Sequence, residues 1–501
     1  MTGRLAVAAL ICALALPGTA AAASALGHAG RWITDPDGRV VMLHGLNMVS
    51  KLPPFLPSAE GFGADDARFL ARNGFNTVRL GVIYRALEPS PGHYDTHYLS
   101  RLVRTQRILA RQGIQTLIDF HQDLYNERFS GEGWPDWAVE DDGLPAAPDL
   151  GFPANYFGML SLSRAFDHFW ANDPGPGGVG LQDRYAAAYA RVARAFKGRD
   201  GVLGYDLMNE PWPGSVWPTC ASTIGCPLFD RGALTDFHRR VIQAVRRADS
   251  RHLVWYEPPV TFNFGADTSQ KSLDPRAGFS FHNYCLADAI NGLVPPGNPV
   301  TGLACSAMEN LVMDNADHHA GVTGDALLLS EFGATDDLKA LGRVVTEADD
   351  HMVSWQEWHY CDCRDPTTSG PGVQSLVVDP EKAPRGRNVK HAKLETLARP
   401  YPQAVAGTPR RYGFDPGSRR FRMDYSTASA GGGGLRRGLP TEIFLPRVQY
   451  PQGHYRVEVN GARVRSATHA RRLVLRACAG TTDVSLSVSP GHGAREGGCH
   501  R

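Results

Sequence analysis

Between Val40 and Tyr360 the chain changes period again and again, from a short apolar run to an amphipathic stretch and back. Eight runs read as strands: Val40–Leu46, Thr77–Gly81, Gln115–Phe120, Val202–Met208, His252–Glu257, Phe279–Tyr284, Ala326–Glu331 and Met352–Trp358. The stretches between them carry helical spacing. Ala64–Asn73 stops at Gly74 and Tyr98–Gln112 at Gly113, glycines placed as helix C-terminal caps. Leu181–Phe196 and Thr235–Arg247 repeat the pattern. Strand–helix alternation eight times over predicts an α/β fold, a (β/α)8 TIM barrel with an all-parallel sheet.

The polar residues obey the same period. Arg79, His121, Asn209, Glu210, His282, Tyr284, Glu331 and Trp358 all fall at the C-terminal ends of strand-like runs. In such barrels that end carries the chemistry. Asn209-Glu210-Pro211 and Ser330-Glu331-Phe332 stand 121 positions apart, so only a folded scaffold can bring the two glutamates together. Two carboxyls facing across one cleft are what glycosidic bond cleavage needs. Glu210 is the candidate acid/base, which requires a raised pKa. Glu331 is the candidate nucleophile, held ionised by Arg79 and Tyr284. Asn209 is placed to bind a sugar 2-hydroxyl. His121 and His282 are candidates to orient hydroxyls or support the carboxylates. Trp358 reads as a stacking platform, and Lys51, Asp123 and Trp170 as rim contacts. The plainer readings are an ion pair inside the barrel for Arg79, core packing for the tryptophans and a solvated surface for Lys51 and Asp123.

From Phe120 to Trp170, 11 of 51 residues are aromatic, against 9% for the chain. That stretch either packs a subdomain or walls a cleft. Metal chemistry has no support in spacing: His318-His319 lacks a His-Glu-x-x-His context, and no Cys-x-x-Cys occurs. No phosphate loop, dinucleotide fingerprint or Gly-x-Ser-x-Gly elbow is present. No cofactor is implied.

After Leu397 the period becomes two, over Arg420–Tyr425, Glu442–Leu445, His454–Val459, Arg472–Arg476 and Asp483–Val488. A small C-terminal antiparallel β-sandwich is expected. The expected division is a signal segment at 1–25, a catalytic barrel at 26–397 and the sandwich at 398–501. Residues 399–501 hold 17 Arg, no Lys and 6 acidic residues, whereas the rest of the chain has 35 basic and 45 acidic. This asymmetry reads as an Arg-rich solvated surface. At the N-terminus Arg4, the apolar Leu5–Leu16, Pro17-Gly18 and the small residues of Ala20–Ala25 have the build of a secretory signal. The apolar part is too short to span a bilayer. Export of the mature chain is the expectation. Setting Cys12 of that segment aside leaves eight cysteines, an even number that favours disulfides. Cys220/Cys226, Cys285/Cys305 and Cys478/Cys499 are plausible local pairs; Cys361 and Cys363, one residue apart, would strain a bridge.

The motifs Asp119–Asn126, Gly133–Trp137, Tyr205–Pro211, His282–Cys285 and Leu329–Gly333 resemble glycoside hydrolase family 5, and within it the endoglycoceramidase branch. The resemblance covers residues 40–360 and extends to the C-terminal sandwich. It implies a retaining β-glycosidase that cuts between oligosaccharide and ceramide, releasing both intact, with Glu210 as acid/base and Glu331 as nucleophile. It puts Lys51, His121, Asp123, Asn209, Tyr284 and Trp358 against sugar. It implies a glycosphingolipid substrate, transient contact with a membrane or micelle, no nucleic acid and a monomer. The competing readings are a β-glucosidase for another aglycone, such as a steryl glucoside, an endo-β-glucanase, and a catalytically dead binding protein.

Overall fold

The computed structural model describes residues 25–285, 299–368, 370–491, 493 and 495–499. Apart from Ala25, the signal-like segment lies outside them. Eight parallel strands close into a barrel. They are β1 His44–Met48, β2 Thr77–Ile83, β3 Gln115–His121, β4 Val202–Asp206, β5 Leu253–Tyr256, β6 Ala277–Asn283, β7 Ala326–Phe332 and β8 Ser354–Glu357. Closure is the pairing of β8 with β1, Trp355 opposite His44. Every residue of β2, β6 and β7 is buried. This is why these strands read as continuous apolar runs rather than as alternation.

The helices end where the sequence puts their stops. Ala64–Asn73 closes on Gly74, whose φ of 95° and N–H to the Ala71 and Leu70 carbonyls make a left-handed cap. Leu181–Phe196 matches its expected bounds, and Thr96–Ala110 is opened by the Asp95 side chain accepting from the Tyr98 N–H.

One expected element divides. Val40–Leu46 is not a single strand: Val40–Val41 pairs antiparallel with Tyr401–Val405, and only His44–Met48 enters the barrel. The side chains explain the split. Val40 and Met42 pack into the C-terminal core, Leu46 and Met48 into the barrel core. The C-terminal half-layer is a seven-stranded sheet in the order Gly27–Ala29, Trp32–Thr34, Val40–Val41, Tyr401–Val405, Thr441–Phe444, Arg472–Ala477, Ala462–Val464. Three of its strands come from the N-terminal side of the barrel. A five-stranded sheet covers it: Thr408–Asp415, Arg420–Ser426, Asp483–Pro490, Tyr455–Asn460 and Arg495–Gly498. Its last pair is parallel, the rest antiparallel. Tyr412, Phe421, Tyr425, Val457 and Leu473 lie in the core between the two sheets.

Four disulfides are formed: Cys220–Cys226, Cys285–Cys305, Cys361–Cys363 and Cys478–Cys499. The Cys361–Cys363 bridge departs from expectation. Its two Cα atoms stand 5.2 Å apart, within the span that a disulfide bridges. Among the described residues no helix is long and apolar enough to cross a membrane.

Candidate active site

Glu210 follows β4 and Glu331 lies in β7, on opposite sides of one cleft. A carboxylate oxygen of each and a ring nitrogen of His282 all lie within 4.8 Å of one another. Glu210 has left-handed backbone, φ 44°, rare for a residue with a long side chain. Its N–H donates to Glu257 Oε2 at 2.8 Å, which fixes that turn. Glu210 Oε1 accepts from Asn263 Nδ2 at 2.6 Å and faces His282 Nδ1 at 2.9 Å. Glu331 Oε1 accepts from the Tyr284 hydroxyl at 2.8 Å, and Oε2 pairs with Arg79 Nη1 at 2.9 Å.

Arg79 lies wholly buried beneath the two carboxyls. Its guanidinium meets Asp206 at 3.0 Å, Asp119 at 3.0 Å, Glu257 at 2.9 Å and Asn209 Oδ1 at 2.9 Å, as well as Glu331. One rigid fork therefore ties β2 to residues of β3, β4 and β7 and to the ends of β4 and β5. Burial raises the Glu210 carboxyl above its ordinary range, against the donor and charge of His282, and nearby Glu331 and Asp123 add to the rise. Burial acts against charge on His282, but Glu257 and Glu331 outweigh it and hold the imidazole well above its usual range. Burial and the Glu331 charge push the Tyr284 phenol well up, so it remains a donor.

A second cluster rims the cleft. Lys51 Nζ reaches Asp123 Oδ2 at 2.6 Å, the Thr367 hydroxyl at 2.7 Å and Asp365 at 3.2 Å, and stands 4.4 Å from the centre of the Trp358 ring. His121 stacks against that indole at 5.4 Å between ring centres, with Nδ1 2.7 Å from Asp119. Burial lowers the His121 pKa, but Asp119 overrides it and lifts the ring to about 10.

The cleft encloses about 670 Å³ including its open mouth, and its lining is mixed. Lys51, Asp123, Thr367, Thr368 and Trp358 contribute polar and stacking groups; Phe152, Pro153, Tyr156, Phe157, Val260 and Phe264 contribute apolar wall. The aromatic stretch after β3 therefore does both things expected of it. Tyr125, Phe129, Trp134 and Phe166 are buried as a packed subdomain, while Phe152 to Phe157 wall the cleft.

The structure brings Lys51, Arg79, His121, Asp123, Asn209, Glu210, His282, Tyr284, Glu331 and Trp358 to one end of the barrel. Trp170 is not brought to the cleft. Its indole donates to the Trp212 carbonyl at 2.7 Å and packs on Phe229 and Phe237, behind the wall. Asn263, Glu257, Asp365 and Thr367 carry contacts that the sequence reading missed. Glu257 had a signal, since it ends an apolar run as Glu210 and Glu331 do. Asn263 had none, being in a short 3-10 turn, Val260–Phe264.

Three groups have the composition of a metal site: Glu210/His282/Glu331, His121/Asp123/Glu132 and His359/Cys361/Cys363. In the second the Lys51 ammonium occupies the position a cation would take. In the third the sulfurs are bonded to each other, and the imidazole is engaged by the Val49 N–H at 2.7 Å and the Cys361 carbonyl at 2.6 Å.

Residues 37–363 match the model of the family described as cellulase (glycosyl hydrolase family 5), and 399–488 that of the glycoside hydrolase family 5 C-terminal domain. Endoglycoceramidase I of Rhodococcus hoagii is 33% identical over 475 residues, covering 93% of this chain and 89% of its own. Endo-glycoceramidase II from Rhodococcus sp. superposes with a TM-score of 0.74 at 29% identity, over 92% of this chain and 99% of its own. It has also been solved as a lactosyl-enzyme intermediate and in complex with ganglioside GM3. Sterylglucosidase 1 of Cryptococcus neoformans shares the fold, with a TM-score of 0.71 at 15% identity over 93% and 97% of the two chains.

Proposed function

We propose, of a chain that belongs to glycoside hydrolase family 5, that it is an exported retaining β-glycosidase cutting glycosphingolipids between glycan and ceramide. The observation that carries the retaining reading is the approach of Glu210 and Glu331 oxygens to within 4.8 Å. Inverting enzymes need roughly 6.5–9.5 Å between carboxyls to admit a water, retaining ones about 5–5.5 Å. The lactosyl-enzyme intermediate of the Rhodococcus relative supports the same course.

In the first step a Glu331 oxygen attacks the anomeric carbon. The bond from that carbon to the ceramide oxygen breaks, and the Glu210 proton passes to the departing oxygen. In the second step water attacks the same carbon. Glu210 takes the water's proton, and the bond to Glu331 breaks. The raised Glu210 carboxyl suits the first step, and the donors on Glu331 suit an ionised nucleophile.

The mixed polar and aromatic lining of the cleft supports an amphiphilic substrate. Sugar hydroxyls meet Lys51, Asp123 and Thr367 and the Trp358 face, while the lipid follows Phe152, Phe157 and Phe264. Contact with a lipid surface is supported by the exposed Phe157, which lines the cleft, and by the exposed Leu150 and Leu160 beside it in sequence. Four disulfides and the signal-like segment support export, and a monomer is the expected state.

The test is mass spectrometry of the products from a ganglioside and from lactosylceramide. Intact oligosaccharide plus ceramide is the expected result. Cleavage of a steryl glucoside or cellulose oligomer with both glycolipids untouched would sink the ceramide reading and leave the glycosidase. Proton NMR during turnover should show the β-anomer first; an α-anomer first refutes retention.

A further inference from the structure

We propose that Asn263 is a positioning residue for the acid/base, holding one oxygen of Glu210 so that the other delivers the proton; this rests on the role given to Glu210 above. Asn263 is buried yet lines the cleft, in the turn Val260–Phe264 that follows β5. The turn is fixed at both sides. Phe262 packs on Phe279 and Phe281 of β6, and the turn closes on Gly265, φ 92°, a conformation that disfavours other residues. From there Nδ2 reaches Glu210 Oε1 at 2.6 Å, and His282 Nδ1 approaches the same oxygen at 2.9 Å. Among the described residues no donor is directed at Oε2.

The consequence is chemical. An oxygen that accepts two hydrogen bonds is a poor seat for the carboxyl proton, so the proton resides on Oε2. The amide also binds the ionised carboxylate more strongly than the neutral acid. It therefore limits how far burial lifts the pKa and keeps Glu210 able to act as a base on water in the second step.

The experiment compares wild type, Asn263→Ala and Asn263→Asp on lactosylceramide, octyl β-lactoside and dinitrophenyl β-lactoside. The first two lose an alcohol that must be protonated; the third loses a phenolate that need not be. For Asn263→Ala we expect a loss of about 10-fold or more in kcat on the alcohol glycosides and less than about 3-fold in the glycosylation rate on the aryl glycoside. The basic limb of kcat/KM should move to higher pH, and further still in Asn263→Asp, where a second carboxyl faces Glu210. Unchanged melting temperatures would show that the variants fold. Equal losses on alcohol and aryl glycosides with an unmoved basic limb would overturn the proposal, as would an Asn263→Ala variant with wild-type rates. A wild type inert on all three removes the role of Glu210 and this inference with it. A wild type inert on lactosylceramide alone fails only the ceramide reading, and Asn263 is then judged on octyl β-lactoside.

Discussion

Replacing Lys51 by Met isolates the contribution of one buried charge to the rim of the cleft. The ammonium lies 2.6 Å from Asp123, 3.2 Å from Asp365 and 4.0 Å from Glu132, with almost no exposure. At an effective dielectric constant of about 20, attraction to Asp123 alone is about 6 kcal/mol, most of it offset by desolvation of the pair. Removing one partner of such a buried pair costs about 3–5 kcal/mol, because the other charge is left without compensation. His121, whose Nε2 is 3.6 Å from Asp123, supplies part of that compensation and puts the expected loss at the lower end, about 3 kcal/mol. At about 2–4 °C per kcal/mol, Lys51→Met should melt about 6–12 °C below wild type near pH 7 in a calorimetric scan. Lys51 and His121 hold the Asp123 carboxyl well below its ordinary range, although burial works the other way. A depressed acid contributes stability that is present above its unfolded pKa and is lost only as pH falls through the folded value. Wild type should therefore keep this contribution down to about pH 4, whereas in the variant the unpaired Asp123 takes up a proton and the gap narrows toward acid pH. The double variant Lys51→Met/Asp123→Asn should recover at least half of the lost degrees, since removing both charges removes the imbalance. A single variant within 2 °C of wild type, or a double variant no better than the single, would refute the reasoning.

Glu331→Gln should fold normally and lose about 10⁴-fold or more in kcat on glycolipid and aryl glycoside alike; circular dichroism with steady-state rates checks both, and wild-type activity would end the two-carboxylate assignment. With Glu210 raised by burial, activity in wild type should fall as pH rises through a value above the ordinary carboxylate range, and Glu210→Gln should abolish that limb on an aryl substrate. Asp349 is buried where the barrel meets the sandwich, with neither carboxylate oxygen hydrogen-bonded among the described residues, and burial lifts it to about 7. A raised acid loses stability as pH climbs from its unfolded to its folded pKa, so Asp349→Asn should melt a few degrees above wild type at pH 8 and converge with it near pH 4. Melting curves at four pH values decide this, and a variant less stable at pH 8 would refute it.

Much of the barrel is legible because each strand is buried on both faces and each helix on one, so period and apolarity coincide with structure. Gly74 marks a helix end because its left-handed φ excludes side chains at low cost, a rule that acts locally. Where the reading fails, the cause is not local. Val40–Leu46 is one apolar run serving two cores, and nothing in its spacing says where the chain turns from one sheet to the other. Trp170 ends an aromatic-rich stretch as a stacking residue would, but packing and stacking call for the same indole, and only the Trp212 carbonyl identifies its partner. Cys361 and Cys363 are bridged across a single intervening residue, a pairing that spacing alone argues against. Arg79 and Glu331, 252 positions apart, are brought together by barrel closure, although Arg79 is the third of the seven residues of β2 and not at its end as the sequence suggests, while Glu331 lies near the end of β7.

The pairing of Val40–Val41 with Tyr401–Val405 has a consequence for synthesis. The loop it closes spans some 360 residues, nearly the whole barrel. The entry to β1, first of the eight strands to leave the ribosome, gains its edge partner only once the strand after β8 and the last barrel helix has been made. Contacts of such separation are slow to form. Until then Val40–Val41, the inner of the three N-terminal strands, lacks the partner on its other edge. A nascent chain halted before residue 401 would hold every candidate catalytic residue named here and still leave open the seam that anchors its first strand, so the sandwich acts as a clasp on a ring that it did not build.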